Sequence, residues 1–583
     1  MNMSNMFASI LSAALLSTLA ASAEPVTTVQ ELVAALATKT TTSDTIEIAP
    51  GTYDLTGVAM KTDGSFGDSH LYLQNATLVG KGALPEDVRL VGNGLRVLWA
   101  YLPAKVRNLT ITNGCASAIT GQGNSGRGGG VFGNCTVSNC LITGCSAVAG
   151  GATRNYTVLR DCRVIGNSAK TGGGVYEATC HGCMIARNTS TEHGGGAYGA
   201  TSLYNCHVVS NTAASMGGGA YAITLASNCW FEANSAGAQG GAAASWNESG
   251  MRLVDCTITN NTATAAGGGV YKATITGGWL AGNYSGTSGG GASASILSGV
   301  SVHDNYAVSN GGGLDNGKGV ARCRIRNNFC GGNGPNVSGT SSLVSCDISG
   351  TTCFQVSATG CRFHDVGPEV SLSGNRYAEA TFTPTYILHD YVNCTNCLFY
   401  GNRAAKFDAS IFGGNSGGSV KSRLINCTIV SNSYPYTFKY FKLAAAKVDV
   451  VNCVFWGNTA YDRVTARDIS MGDQATTDGV RFSNCAYGSS NVDGLNDYVD
   501  EVMYKFGVDG FGASPRFVEG EDAENPYALK TSSPLHNRGK VLGWMATAND
   551  IRGDGFARLR DGMVYIGCYQ FWLRLPGFCI SYR

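Results

Sequence analysis

Apolar and polar residues alternate along most of this chain in short runs, and the runs return at a fixed spacing. Glycine triplets at 172–174, 194–196 and 217–219 mark the repeat: GGGVYEATCHGCMIARNTSTEH is followed by GGGAYGATSLYNCHVVSNTAASM, a unit of 22 or 23 residues. A fixed period in this range indicates stacked repeats. Neither a helical period nor a Leu-x-x-Leu-x-Leu pattern is present. We therefore predict an all-β chain that forms a right-handed parallel β-helix with about 22 residues per turn.

One cysteine and one asparagine recur at fixed places in the unit. Stacked turns place equivalent residues about 4.8 Å apart, so identical side chains form ladders. Buried Asn side chains can bond to each other and to the turn backbone, which satisfies amides that would otherwise lack partners. The glycines predict a corner that needs a positive φ or a close backbone approach. The predicted ladders include Cys162, Cys183, Cys206, Cys229 and Cys256, and Asn167, Asn188, Asn211, Asn234 and Asn261.

The chain contains 22 cysteines, which in an exported protein would ordinarily indicate disulfides. Their place in the repeat instead predicts small buried apolar residues. The pairs Cys180–Cys183 and Cys394–Cys397 have metal-site or redox spacing, but the first cysteine of each pair stands where other turns carry Leu or Val. We therefore predict that both pairs belong to the core. Cys568 lies outside the ladder, and we leave open whether it pairs with Cys579.

The chain divides where the repeat begins and ends. An apolar run and the small residues Ala21-Ser22-Ala23 predict that residues 1–23 are an export signal. Thr28 and Glu31 form a capping box ahead of an apolar run, which predicts a short helix over the open end of the solenoid. This cap and irregular first turns occupy residues 24–113, the repeats 114–485 and a closing β module 486–583. We predict surface loops at the insertions 365–392, 403–422, 433–447 and 459–479.

Charge narrows the range of partners. The net charge is +1 and only 14% of residues are charged, so no electrostatic feature favours nucleic acid or an acidic membrane. No stretch after the signal has the ~18 apolar residues of a membrane span. We expect a secreted or cell-surface monomer without a transmembrane segment.

Two stretches resemble known families. GGAAAS beside WFEAN, and GGGAY beside VVSN, resemble the GGA and FxxN repeats of bacterial polymorphic outer-membrane proteins, which are β-helical adhesins. The tail SPLHNRG, DIRG and YIGCY resembles the closing segment of secreted bacterial "choice-of-anchor" β-helix proteins, with Tyr565, Cys568 and Gln570 where Asp, Ala and Glu are usual. The resemblance implies surface binding. The wider pectin-lyase-like class also contains pectate lyases and polygalacturonases, so an enzyme stays open.

Candidate chemistry is sparse. Most turns carry Asn just before the ladder cysteine, and Asp161 and Asp255 replace it four turns apart, about 19 Å by strand spacing, too far for a catalytic pair. Charged and aromatic residues are denser in and around the inserted ranges. This pattern is consistent with loops exposed to solvent, and equally with a groove that binds a glycan or acts on it. The candidates there are His389, Asp390, Arg403, Lys406 and Asp408, with His364 and Asp365 nearby.

Three functions remain in order of preference. The first is a non-catalytic, adhesin-like protein that binds an extracellular glycan or another surface through its inserted loops. The second is a polysaccharide lyase or glycoside hydrolase acting on an acidic polysaccharide. The third is a structural protein of an envelope layer. We expect no cofactor or metal, since only the lyase alternative would involve Ca²⁺.

Overall fold

A computed structural model describes residues 24–570, with gaps at 63–66, 102, 117–125, 248–249, 340–341, 368–369, 373–379, 383–384, 405, 407, 415–420, 442–446, 461, 473–474, 510, 519–524, 526, 531, 553–555 and 560–561. The predicted export signal and Cys579 lie outside the described residues.

Each regular turn consists of four short strands, which we name rows A to D in chain order. In one turn these are Val175–Tyr176, Thr179–His181, Met184–Ala186 and Thr189–His193. Every strand pairs in parallel with its equivalent in the next turn, as Val175 does with Ala197 and Met184 with His207. Side chains alternate between a buried interior and an outer surface. The prediction of an all-β parallel β-helix is therefore confirmed.

Rows A and B form one face of the solenoid. Row A contains Ser69–Gln74, Arg96–Tyr101, Val131–Phe132, Thr153–Arg154, Val175–Tyr176, Ala197–Tyr198, Ala220–Tyr221, Ala243–Ala244, Val270–Tyr271, Ala292–Ser293, Leu314–Asp315, Val337–Ser338, Cys353–Thr359, Tyr386–Thr395, Ser410–Gly414 and Tyr436–Lys439. Two of these strands, Cys353–Thr359 and Tyr386–Thr395, continue into row B. The other strands of row B are Thr45–Ile48, Thr77–Gly80, Lys105–Arg107, Thr136–Ser138, Val158–Arg160, Thr179–His181, Ser202–Tyr204, Leu225–Ser227, Arg252–Val254, Thr274–Thr276, Ile296–Ser298, Gly319–Ala321, Leu343–Val344, Ser422–Ile425, Val448–Val451 and Val480–Ser483.

Rows C and D complete the turn. Row C contains Gly51–Asp54, Val88–Val91, Thr110–Thr112, Leu141–Thr143, Arg163–Ile165, Met184–Ala186, His207–Val209, Trp230–Glu232, Thr257–Thr259, Trp279–Ala281, Ser301–His303, Arg324–Arg326, Asp347–Ser349, Arg362–His364, Leu398–Tyr400, Thr428–Val430, Val454–Trp456, Cys485–Tyr487 and Met503–Lys505. Row D contains Cys115–Ala116, Ser146–Ala149, Ser168–Thr171, Thr189–His193, Thr212–Ala213, Ser235–Ala236, Thr262–Ala263, Tyr284–Ser285, Tyr306–Ala307 and Phe329–Cys330.

A few elements lie outside the rows. Strands Val370–Leu372 and Ala380–Phe382 form an antiparallel pair, and short 3₁₀ helices span Pro85–Asp87, Leu495–Tyr498 and Gly543–Thr547. Helix α1, Val29–Thr38, begins with the predicted capping box, in which Thr28 accepts from the Glu31 backbone N–H. Its Leu32 and Leu36 are buried in the solenoid core. This confirms the predicted capping helix.

Each bend between rows uses a left-handed backbone conformation. In the turn that begins at Ala197 the bends fall at Gly199 (φ 74°), Asn205 (φ 52°), Ser210 (φ 56°) and Gly217 (φ 70°). Asn tolerates this region better than most residues because its short side chain can bond locally. This explains why Asn so often precedes the ladder cysteine.

The middle glycine of each triplet is needed for space. A Cβ on Gly195 would lie 2.4 Å from the carbonyl oxygen of Gly218 and 2.5 Å from that of Thr212. Since real Cβ atoms do not approach this closely, the chain can pass between neighbouring turns here only as glycine.

The Asn side chains form two hydrogen-bonded ladders where row C bends into row D. The backbone N–H and the side-chain Nδ2 of Asn188 both donate to Asn211 Oδ1 at 3.0 Å, and Nδ2 also donates to the Val164 carbonyl. The same pattern repeats in the neighbouring turns. One ladder contains Asn167, Asn188, Asn211, Asn234, Asn261, Asn283, Asn305, Asn328 and Asn336, and a second contains Asn402, Asn432 and Asn458 and ends on Asp468.

The ladder cysteines are buried thiols rather than disulfides. Cys206 Sγ donates to the carbonyls of Cys180 and Tyr204, and burial raises the pKa of the Cys140 thiol to about 12. Cys180 pairs in register with Leu159 and Leu203, and Cys394 with Leu424, so the first cysteine of each CxxC pair occupies an apolar core position.

The inserted ranges differ from the expected loops. Parts of 365–392, 403–422 and 433–447 carry the row A strands Tyr386–Thr395, Ser410–Gly414 and Tyr436–Lys439, which pair with one another in parallel. The insertions thus contain row A strands that lack the glycine triplet. The repeat pattern missed these strands because longer segments with other residues replace the GGG motif.

Described residues between 506 and 570 pack along the side of the solenoid. Leu535 and Ile566 contact the row C residues Val454 and Ala486, and Cys568 and Tyr569 contact Leu398 and Val430. These row C side chains are buried, whereas Met184, Trp230 and Trp279 in the same register of earlier turns are exposed. The described residues of 506–570 therefore cover a flank of row C. The division of the chain at residues 113 and 485 stays a prediction.

We predict that Asn211→Ala lowers the free energy of unfolding by about 2–4 kcal/mol, because it removes the acceptor of the buried Asn188 backbone N–H, one of the two bonds of Asn188 Nδ2, and the donor to the Ile185 carbonyl. Urea unfolding followed by circular dichroism measures the effect. The matched control is Asn491→Ala, which deletes the same side chain at an exposed position. Equal midpoints for the two variants would show that the ladder contributes no stability.

Candidate functional site

The outward side chains of row A form one register-matched column along the solenoid. Each pairs directly with its equivalent in the next turn, about 4.8 Å away. In order they are Tyr72, Trp99, Phe132, Arg154, Tyr176, Tyr198, Tyr221, Ala244, Tyr271, Ser293, Asp315, Ser338, Phe354, His389, Gly413 and Lys439.

The central part of this column is an aromatic platform. The Arg154 guanidinium lies 3.9 Å from the centre of the Tyr176 ring, and Tyr176 stacks on Tyr198 with centroids 4.7 Å apart. Trp246 covers Tyr221 edge-on at 5.2 Å and is itself 64% exposed. Tyr176 and Tyr198 are half-buried and Tyr221 is fully buried, so a ligand could reach the edges of the first two rings and the Trp246 indole.

The platform is followed by a polar stretch. Asp315 lies between Ser293 and Ser338 in the neighbouring turns. Burial raises the pKa of Asp315 to about 6, although a hydrogen bond with Ser338 opposes the shift. A carboxyl group with this pKa can exchange a proton near neutral pH. It lies about 14 Å from His389 by strand spacing, too far for the two to share a proton.

One of the predicted residues, His389, lies near the far end of the column. His389 stacks on Phe354 at 5.6 Å and packs against Tyr386 at 4.5 Å. Burial lowers the pKa of His389, which keeps its imidazole neutral at pH 7. Burial, together with the neighbouring Tyr440 and Asp408, raises the pKa of Tyr386 to about 12, so its phenol stays protonated. A neutral imidazole beside a protonated phenol is a pair that can accept and donate protons.

Lys439 lies next in this cluster and is buried. Its Nζ donates to the Asp408 carbonyl at 2.9 Å and lies 3.8 Å from the Asp408 carboxylate. The ammonium also lies 4.9 Å from the Tyr440 ring centre. The structure therefore joins Asp408 to the neighbourhood of Tyr386 through Lys439 and Tyr440.

The other predicted residues lie elsewhere. Asp390 has a left-handed backbone and accepts from Gln355. Arg403 pairs with Ser433 directly after a ladder Asn, in line with row D, and Lys406 is exposed.

His364 and Asp365 belong to row C, away from the column. The His364 ring is held between Asp347 Oδ1 at 2.6 Å and Asp365 Oδ2 at 2.7 Å and stacks on Tyr400 at 4.9 Å. Burial opposes a charged imidazole, but the two carboxylates outweigh it and raise the pKa of His364. An imidazolium held by two carboxylates has no free nitrogen for a substrate.

Sequence reasoning missed Asp315, Lys439 and the tyrosines of row A. Asp315 and the tyrosines share one sequence signal, which is their position two residues after the last glycine of a triplet. Tyrosine occupies this position at Tyr176, Tyr198, Tyr221 and Tyr271. Aligning the repeats on the glycines rather than on the cysteine would have revealed this column. Lys439 follows an inserted segment and carries no such signal.

Among the described residues, no group of three or more His, Cys, Asp or Glu side chains is arranged to hold a metal ion. None of the helices in the described ranges has the length and apolar character needed to cross a membrane.

No protein-family model matches the chain, and no curated protein sequence matches it. Among solved structures, the A-module of Azotobacter vinelandii mannuronan C-5 epimerase AlgE4 is 14% identical with a TM-score of 0.24, covering 66% of this chain and 91% of that chain. The catalytic domain of a GH87 alpha-1,3-glucanase in complex with nigerose is 10% identical with a TM-score of 0.20, covering 74% and 64%. Tailspike protein gp49 from Acinetobacter baumannii bacteriophage Fri1, a capsular polysaccharide depolymerase, is 10% identical with a TM-score of 0.15, covering 78% and 62%. Similarities this low carry no inference about the chemistry of this chain, and the likeness to adhesin repeats stays a prediction.

We predict that Asp315→Asn raises the free energy of unfolding at pH 7 by about 1–2 kcal/mol, a value reduced for the partial exposure of the carboxyl group. Because the pKa of Asp315 is raised to about 6 in the folded protein, the native state binds more protons than the unfolded state, and wild-type stability falls as the pH rises through about 4 to 6. Urea unfolding from pH 4 to 8 measures the difference between the two proteins. The difference in the free energy of unfolding should grow between about pH 4 and 6 and then level off. The matched control Asp493→Asn, at an exposed aspartate, should show no such trend. A pH-independent difference for Asp315→Asn would contradict the assignment.

Proposed function

We propose that the protein is an exported, non-catalytic, adhesin-like protein that binds an extended polysaccharide along the row A column. The observation that carries the proposal is the aromatic platform from Arg154 to Tyr271, with the exposed Trp246 at its side, and its continuation into a polar stretch. A pyranose ring has apolar C–H faces and a rim of hydroxyl groups. The Trp246 indole and the half-buried phenol rings of Tyr176, Tyr198 and Tyr271 suit the first, and the half-buried Asp315 carboxyl suits the second.

The spacing of the column suits a polymer rather than a small molecule. From Arg154 to His389 the column crosses ten intervals between turns, a length of about 48 Å. Successive contacts of this kind add along a ligand that lies parallel to the solenoid. Few charges line the platform, so attraction over a long range contributes little.

A second candidate function is a polysaccharide lyase, favoured by the His389–Tyr386 contact alone. Neutral His389 would take the proton from the carbon next to a sugar carboxylate. The C–O bond to the leaving sugar would then break as Tyr386 gives its proton to the leaving oxygen, and a C=C bond would remain. A glycoside hydrolase is less well supported, because Asp315 is the sole carboxylate in the column as listed above, and that mechanism requires two.

We predict that the double substitution Tyr176→Ala with Tyr198→Ala weakens polysaccharide binding about tenfold or more, because it removes two stacked rings from the platform. Affinity electrophoresis through gels containing individual plant, bacterial and host polysaccharides measures the change. The matched control is His181→Ala with Tyr204→Ala, which removes an equivalent stacked pair from row B. Equal retardation of both variants and wild type would contradict the proposal, and absence of retardation on every polysaccharide would favour a structural role.

The lyase candidate predicts unsaturated sugar ends, which are followed by ultraviolet absorbance while acidic polysaccharides are incubated with the protein. His389→Asn should then abolish product release while polysaccharide binding persists. Absence of product from wild-type protein, with and without calcium, would eliminate this candidate.

A further inference from the structure

A cavity of about 580 Å³ lies between row B and the end of the chain, away from the row A column. One wall is the outer surface of row B, with Thr359, Asn393 and Arg423. The opposite wall is the 3₁₀ helix Gly543–Thr547 with the residues that follow it, including Trp544. Cavities of this size hold small organic ligands.

The two walls are fixed to each other by side chains of the row B–row C bend. Asn396 Nδ2 donates to the Asn549 carbonyl at 2.7 Å. Asn452 Nδ2 donates to the Lys540 carbonyl at 2.8 Å, and Asn452 Oδ1 accepts from the Lys540 N–H at 2.6 Å. These hydrogen bonds hold the segment that contains Trp544 against the solenoid, so the cavity is formed before any ligand binds.

Arg423 supplies the positive charge of this cavity. The Arg423 side chain is exposed, and no carboxylate of the described residues lies within 4.0 Å of its guanidinium. Asp550 also lines the cavity but is paired with Arg552. Asp449, the strand partner of Arg423, lies 2.8 Å from the Lys447 ammonium. A guanidinium without a carboxylate partner favours a planar oxyanion that can accept two parallel N–H bonds.

The rest of the lining suits a sugar. Trp544 is 38% exposed, so part of its indole is available to the apolar face of a pyranose ring. The exposed side chains of Thr359 and Ser345 lie on the opposite wall and can bond to sugar hydroxyls.

We propose that this cavity binds a hexuronate unit, with the sugar carboxylate on Arg423 and the sugar ring against Trp544. A neutral sugar would leave the guanidinium without a partner. Phosphate would use the guanidinium but neither the indole nor the hydroxyl groups.

The test is isothermal titration calorimetry of the full-length mature protein with trigalacturonate, its fully methyl-esterified form, and inorganic phosphate. We expect wild type to bind trigalacturonate, and Arg423→Gln and Trp544→Ala to weaken binding at least tenfold. The matched control is Arg252→Gln, because Arg252 precedes the inward Leu253 of row B just as Arg423 precedes Leu424, several turns away from the cavity. Circular dichroism confirms that each variant is folded.

The outcomes separate this site from the row A column. Loss of binding in Arg423→Gln but not in Arg252→Gln, nor in Tyr176→Ala with Tyr198→Ala, supports the proposal. Equal binding of the ester, competition by phosphate at equal concentration, unchanged binding in Arg423→Gln, or absence of binding by wild type would each overturn it.

Discussion

The hydrogen bond from one ladder asparagine to the next is the interaction on which the solenoid depends. Each turn bends sharply between rows C and D and buries backbone groups that no strand can satisfy. Asn188 makes three hydrogen bonds here. Its backbone N–H and its side-chain Nδ2 both donate to Asn211 Oδ1, and Nδ2 also donates to the Val164 carbonyl. Since an unsatisfied buried amide costs about 1–3 kcal/mol, the same residue recurs in the successive turns from Asn167 to Asn328.

This constraint also determines where function can be located. Interior positions are committed to the Asn and Cys ladders and to apolar residues, and the bends require left-handed conformations. Only outward strand positions can vary freely, and stacking arranges them in straight columns. Tyr176, Tyr198 and Asp315 are therefore aligned by the same pairing that builds the core. The fold therefore presents a chemically varied column on a uniform framework, and the proposed polysaccharide binding is assigned to that column.

The fold could be predicted from the sequence because the interactions that stabilise it involve residues that recur at a fixed spacing or lie a few positions apart. The glycine spacing, the ladder asparagines such as Asn211 and the Thr28–Glu31 box are all local patterns. The candidate site was only partly predictable. His389 and Asp408 stood out by charge, but their relation to Tyr386 and Lys439 depends on strands in the inserted ranges, and Asp315 became unusual only through the burial of its carboxyl group. The packing of residues 506–570 against the flank of row C likewise depends on contacts more than 100 residues apart along the chain, such as Cys568 with Thr428.

The asparagine ladder has an interruption. The first ladder ends when Asn336 donates to the carbonyls of Ser349 and Thr351, and the second begins where Asn402 accepts from Val366. Between them Thr351 and Val366 occupy the ladder position. In a repeat protein, neighbouring turns are held together by the contacts they share. Across this interval Cys353–Thr359 and Tyr386–Thr395 are single strands that run through rows A and B and pair with each other at six positions. Where the asparagine bonds stop, continuous strand pairing therefore joins the turns, and His389 is held by rows A and B rather than by the bend between rows C and D.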